Sequence, residues 1–291
     1  VPELPDITVY LKALERRILG ERLGRIRIVS PSVLRTFDPP LEDVEGRRVE
    51  ALRRLGKRIV WEMDGDVFVA IHLMVSGRLR WRAAGAAIGK GLAAFDFPTG
   101  TVVLTEASKI RRASLHIVRG EAGLAALDPG GIDPLTASTD DYAAMLRREN
   151  RTLKRALTDP RSFSGIGNAY SDEILHRAGM SPVRRTAALS DGSVAILRTA
   201  TIGVLTEWTQ RLLDATGDRW PEKVTAFQPE MAVHGKFGEP CPVCGSPVQR
   251  IVQANNETNY CARCQTGGRL LADRALSRLL RDDRPKRLED L

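Results

Sequence analysis

Residues 58–73 read Arg58-Ile-Val-Trp-Glu-Met63-Asp-Gly65-Asp-Val-Phe-Val-Ala-Ile-His72-Leu73. Two runs rich in β-branched and aromatic residues, 58–63 and 66–73, flank Asp64-Gly65. Glycine supplies the positive φ that a tight hairpin needs, so the stretch predicts two antiparallel strands. Residues 92–97 and 101–105 repeat the pattern around Pro98-Thr99-Gly100. Short strands at this spacing to about residue 120 predict a sandwich of two antiparallel sheets. Upstream, Ile7, Tyr10, Leu11, Leu14 and Ile18 recur at helical spacing, with Pro5 near the start and Gly20 after the end. That is an amphipathic helix preceding the strands.

Downstream the character changes. Asp128-Pro-Gly-Gly131 and Asp133-Pro134 break regular structure and set a linker at 126–140. Helical patterns then cover 140–150, 168–178 and 190–213. A last one, 270–280, carries Leu271, Ala275, Leu276, Leu279 and Leu280 on one face. The expected class is α+β. An N-terminal β-sandwich domain (1–125) leads through the linker to a helical domain (141–232), a cysteine-bearing module (233–268) and a helical extension (269–291) that packs on the body.

The cysteines sit in two knuckles, Cys241-Pro-Val-Cys244 and Cys261-Ala-Arg-Cys264. This spacing lets four sulfurs converge on one tetrahedral ion, with the intervening stretch long enough for a hairpin. A disulfide scaffold would not leave the first 240 residues without a cysteine. One structural Zn2+ is expected, because four thiolates leave no open position for water. The formal charge of +8 favours a polyanionic partner. No apolar run has the length of a membrane span and no secretory leader pattern opens the chain. The expectation is a soluble, cytoplasmic protein acting as a monomer, with no membrane partner.

The N-terminus, Val1-Pro2-Glu3-Leu4-Pro5-Asp6, completes the set of motifs. With the Gly56-Lys57 hairpin, Ser164-Gly-Ile-Gly167-Asn168-Ala-Tyr170 and the four cysteines, it resembles the formamidopyrimidine-DNA glycosylase / endonuclease VIII family of base-excision repair enzymes. These motifs occur in the family's order and span residues 2–264. The resemblance implies a helix–two-turns–helix DNA-binding domain and a zinc finger. It also implies a bifunctional DNA glycosylase and abasic-site lyase acting on double-stranded DNA with a damaged base or an abasic site. An enzyme working on a base in a duplex must evert it, which calls for phosphate grips and a wedge.

The resemblance assigns catalysis to Pro2, Glu3 and Lys57. Pro2 nitrogen would attack C1′ of the damaged nucleotide and form a Schiff base, followed by β-elimination and, in some members, δ-elimination. A terminal amine suits this role: it is ~10–20% neutral near pH 7, against less than ~0.1% for a lysine. Glu3 would move protons and Lys57 would line the sugar and phosphate pocket. An amide bond to Val1 would remove Pro2's lone pair. Val1 is therefore expected to be an initiating residue removed before Pro2, the alternative being that Val1's own amine is the nucleophile. Gly167, Asn168 and Lys154 are expected to hold phosphates, with Glu173 in a supporting role.

Several substrate-reading positions depart from the family. Its His-Leu-Gly-Met-Ser-Gly is here His72-Leu-Met74-Val75-Ser-Gly77, which leaves Met74 or Val75 as the wedge. Its Arg-x-Phe reader becomes Lys109-Ile-Arg111-Arg112-Ala, where Arg111 and Arg112 are the expected DNA contacts. An arginine before the third cysteine is replaced by Asn256, with Arg269 nearby. These changes leave the lesion open among oxidised purines, oxidised pyrimidines and bulky adducts. They also leave δ-elimination open. His72 is expected to be packed or locally bonded. Two competing readings are a non-catalytic damaged-DNA-binding protein of the same fold and an unrelated zinc-ribbon nucleic-acid protein.

Overall fold

The computed structural model of the protein describes residues 1–225, 227–253, 256–272 and 285–290. The chain divides into two compact units, Val1–Pro129 with Trp208–Ala226, and Gly130–Glu207 with Phe227–Leu291.

The first unit opens with helix α1 (Leu4–Ile18), whose Ile7, Tyr10, Leu11, Leu14 and Ile18 are all buried, as their spacing predicts. Eight strands follow: β1 (Arg25–Ile28), β2 (Val49–Leu55), β3 (Arg58–Met63), β4 (Val67–His72), β5 (Gly77–Arg82), β6 (Ala93–Phe97), β7 (Gly100–Glu106) and β8 (Ser114–Arg119). They form two four-stranded antiparallel sheets, ordered β1-β6-β7-β5 and β2-β3-β4-β8. The predicted hairpin is β3–β4, with Met63 opposite Val67 and Gly65 and Asp66 both at positive φ.

Alternation explains the apolar run at 67–71. Ile59, Trp61, Met63, Val67, Val69 and Ile71 point into the core shared with the other sheet and α1. Val60, Phe68 and Ala70 point to the opposite face, where Val118 and Leu124 cover them. Leu124 belongs to a short helix, α2 (Gly120–Ala125). Strand β4 is thus buried on both faces, which is why it reads as continuous rather than alternating.

In the second unit, α3 (Thr139–Arg147) and α4 (Leu153–Thr158) start from Ser138 and Thr152, whose hydroxyls accept the N–H groups of Asp141 and Arg155. Helix α5 (Asn168–Arg177) follows the Gly165–Gly167 turn, and α6 (Asp191–Thr216) is next, belonging to this unit as far as Glu207. Tyr142 of α3 is fully buried, with its hydroxyl 2.9 Å from Thr201 Oγ1 of α6. A hairpin, β9 (Val248–Gln253) with β10 (Asn256–Cys261), leads into α7 (Ala262–Thr266).

Two details differ from the sequence reading. Residues 208–226, expected in the helical domain, pack with the first unit: Trp220 and Val224 join its core and the Trp220 indole N–H donates to Leu79 O at 3.0 Å. A tryptophan with a polar handle brings its own anchor, and helical periodicity cannot say which core it enters. The helix expected at 270–280 does not begin at Leu270. Residues 270–272 are irregular, and 273–280 lie outside the described residues. Leu270, Leu271 and Leu288 instead pack on Ile251, Tyr260 and Ala262 of the cysteine-bearing module.

Candidate functional site

Helix α1 begins where catalysis was expected. Glu3, its N-cap, is 1% exposed and Pro2 is buried, whereas Val1 is 39% exposed. Glu3 N–H donates to Asp6 Oδ2 at 2.8 Å, which ties the first turn down. Burial lowers the pKa of the Val1 amino group, and the positive charges of Arg78 and Lys57 lower it further, against the opposing pull of Glu3 and Asp6. The amine is thereby shifted towards its neutral, nucleophilic form. Lys57, in the β2–β3 turn after Gly56 (φ +61°), therefore shares the electrostatic environment of the chain start.

Sequence reasoning passed over Arg78. Its signal was the alternation Arg78-Leu79-Arg80-Trp81-Arg82, in which buried Leu79 fixes the arginines on the other face of β5.

Asp6 has a separate consequence. Complete burial pushes its carboxyl up to about 7, opposed by the Glu3 N–H bond. The folded state then keeps a proton that the unfolded chain releases near pH 4. This group's contribution to stability is complete below about pH 4 and is lost as the pH rises through about 7. Asp6→Asn should flatten that part of the stability–pH profile, measured as the urea midpoint between pH 4 and 8.

His72 is packed and locally bonded. Burial, followed by the charges of Arg58 and Lys57, lowers its pKa to about 4, and Nδ1 accepts the Met74 N–H at 3.0 Å. That bond shapes the β4–β5 turn, in which Met74 has φ +52° and is half-buried while Val75 is 55% exposed. Arg111 and Arg112 lie in the exposed β7–β8 loop.

In the second unit α5 organises the other expected residues. Lys154 Nζ donates to Asp172 Oδ1 (2.5 Å) and to Asn168 O (2.6 Å), an ion pair with side chains 11% and 0% exposed. Asp172 Oδ2 accepts from His234 Nδ1 (2.8 Å) and Asn259 N–H (3.1 Å). Glu173, one residue on, accepts the N–H groups of Ala232, Val233 and His234 at 2.8–2.9 Å. Asn168 Nδ2 donates to Glu257 O of β10 at 2.8 Å, and Gly167 is the N-cap of α5. The helix thus anchors the segment before the first knuckle and the β9–β10 hairpin. Asp172 was not anticipated; a buried aspartate in a helix is legible only once its partners, up to 87 residues away, are in place.

Cys241, Cys244, Cys261 and Cys264 bring their sulfurs within 4.8 Å of one another, with Cys241–Cys264 at 3.9 Å and Cys244–Cys261 at 3.4 Å. Tetrahedral thiolates about 2.3 Å from zinc stand ~3.8 Å apart, far beyond a disulfide bond. The donor set fits one structural zinc, and His176 Nε2 of α5 lies 3.3 Å from Cys241 Sγ as a supporting contact. Asn256 opens β10 on an exposed position, and Arg269 is exposed just beyond α7.

Residues 1–116 match the formamidopyrimidine-DNA glycosylase N-terminal domain, 131–214 its H2TH domain, and 238–267 a zinc finger found in FPG and IleRS. The formamidopyrimidine-DNA glycosylase of Variovorax paradoxus is 31% identical over 272 residues, which is 91% of this chain and all of the relative. An uncharacterized formamidopyrimidine-DNA glycosylase-like protein of Mycobacterium tuberculosis is 40% identical over 151 residues, 52% of this chain and 94% of that protein. A Lactococcus lactis FPG mutant in complex with Fapy-dG containing DNA superposes with a TM-score of 0.80 at 25% identity, over 91% of this chain and all of the other. The same three domains in the same order, a full-length relative above 30% identity and the four-thiolate centre agree: the chain belongs to the formamidopyrimidine-DNA glycosylase family.

Proposed function

We propose that this protein is a bifunctional DNA glycosylase and abasic-site lyase whose nucleophile is the nitrogen of Pro2. The observation that carries the reading is the buried Pro2-Glu3 start of α1. Beside it, burial lowers the pKa of the neighbouring Val1 amine, helped by Arg78 and Lys57 against Glu3 and Asp6, and an amine on Pro2 would meet the same residues. Its substrate is duplex DNA with a damaged base or an abasic site. The reading requires a chain that starts at Pro2, since an acylated proline nitrogen has no lone pair to donate.

The nitrogen attacks C1′, and the glycosidic bond breaks as the base leaves with a proton. Glu3 gives a proton to the ring oxygen as the C1′–O4′ bond breaks, leaving an iminium ion between the Pro2 nitrogen and C1′. Loss of the C2′ proton then expels the 3′ phosphate. Lys57 offers its ammonium to the sugar and phosphate, while Met74 or Val75 and Arg111 and Arg112 meet the duplex. Borohydride should trap the Pro2-terminated protein covalently on abasic-site DNA, read as a shifted band on a denaturing gel. No trapping would reduce the reading to a non-catalytic damaged-DNA-binding protein.

Lys154 and Asn168 are the proposed phosphate grips. Each uses part of its donor capacity internally, and an ammonium has three N–H groups and an amide two, so a donor is left for phosphate. The fold makes the two unequal. Lys154→Ala strands the buried Asp172 charge and should cost about 3 kcal/mol or more. Asn168→Ala loses one hydrogen bond, about 1 kcal/mol. Urea unfolding checks the stabilities. At temperatures where both variants are folded, the salt slope of DNA binding should flatten by about one counterion for Lys154→Ala only.

A further inference from the structure

We propose that Glu106 is a positioning residue that locks two loops of the first unit into one duplex-opening element. The inference rests on the proposed function and names how that site would part the strands. Glu106 ends β7, opposite Gly77 of β5. One of its oxygens, Oε1, accepts the Ser76 hydroxyl at 3.2 Å, from the β4–β5 turn. The other, Oε2, accepts the N–H groups of Arg112 (2.8 Å) and Ala113 (3.0 Å), at the end of the β7–β8 loop. A single carboxylate therefore clasps both loops.

What the clasp presents is specific. Val75 is 55% exposed on one loop and Ile110 is 66% exposed on the other. Lys109, Arg111 and Arg112 surround Ile110, and all of residues 107–112 are exposed. A solitary exposed aliphatic side chain is ordinary. Two of them on loops joined by one carboxylate brace, with three cations beside them, suit insertion between base steps while phosphates are held.

The turn is also built to keep its shape. Met74 sits at φ +52°, and a Cβ on Gly77 would lie 2.2 Å from Leu73 O, so the chain can close there only with glycine. Val75, the exposed tip of this turn, is thus the wedge on its side, and Met74 supports it. Unstacking a base step is unfavourable, so the wedges act best when their spacing is set before contact.

The test compares Glu106→Ala with Glu106→Gln in Pro2-terminated protein. Glutamine retains the brace: its oxygen accepts the two backbone N–H groups and its amide donates to the Ser76 oxygen. A duplex carrying a stable abasic analogue beside 2-aminopurine reports strand opening by fluorescence, without chemistry. Glu106→Ala should lose most of the fluorescence rise and trap on abasic-site duplex about tenfold more slowly, or worse. Its trapping on single-stranded abasic DNA, where no stack has to be opened, should match the parent. Glu106→Gln should retain both duplex signals. Unchanged duplex signals in Glu106→Ala, an equal loss on single strands, or a glutamine variant as poor as alanine would each overturn the clasp. A parent protein that fails to trap on either substrate would overturn the glycosylase reading instead, and the fluorescence comparison would still decide the clasp.

Discussion

Glu3→Gln should bind abasic-site duplex within about threefold of the parent while losing base excision by ~10²-fold or more, the usual worth of a positioned acid–base group. Glutamine has nearly the same volume and reach but cannot exchange a proton at neutral pH. Glu3 is 1% exposed at the N-cap of α1, so a smaller or charged-to-apolar change would confound chemistry with packing. The isostere leaves the backbone bonds in place: Glu3 N–H still donates to Asp6 and Glu3 O still accepts Ile7 N–H. Single-turnover excision and fluorescence anisotropy measure the two quantities separately. A parallel fall in binding and excision would make Glu3 a helix-capping residue with no part in proton transfer.

Removing the metal should have the other large effect. Cys241→Ser or Cys261→Ser takes one thiolate from a site whose surrounding core is small, Val233, Cys241, Val248 and Cys261. Such modules draw most of their folding free energy from zinc, about 10–16 kcal/mol in zinc-finger peptides. Metal content should fall to zero, and the β9–β10 hairpin should become protease-sensitive. The bonds from α5, through Asn168, Asp172 and Glu173, would lose their partners. Affinity for DNA should drop at least about tenfold, since the grips proposed at Lys154 and Asn168 are positioned by the same helix. The first unit has its own core and should retain its β-sheet signal in circular dichroism. Variants that lose zinc yet bind DNA as tightly as the parent would remove the zinc hairpin from the binding surface.

The ease of reading this chain varied with the range of the interactions involved. The hairpin at Asp64-Gly65, α1 and α3 are set by neighbours within a few residues, where periodicity and turn chemistry act directly. The cysteine site was equally legible, because a metal's ligand spacing is written in the sequence. Short α4 escaped notice: six residues carry too little periodicity to stand out. Glu106 also escaped, because nothing local distinguishes a strand-end glutamate that clasps two loops from one that is merely solvated.

By itself, the sequence determined the class of fold and the metal centre, and it supplied the residues proposed for the chemistry: a proline and a glutamate at the start, a lysine in a hairpin, an asparagine after a glycine turn. Only the tertiary structure decided what those residues spend their bonds on. Lys154 is first the partner of a buried aspartate, and Asn168 first a tether of the zinc hairpin. Trp220 belongs to the core of the first unit although it follows the helices of the second. The physical reason is common to all of these. Buried polar groups must be satisfied, but the partner that satisfies them is chosen by proximity in space, across 18 to 141 residues of chain here, and no local pattern encodes that choice.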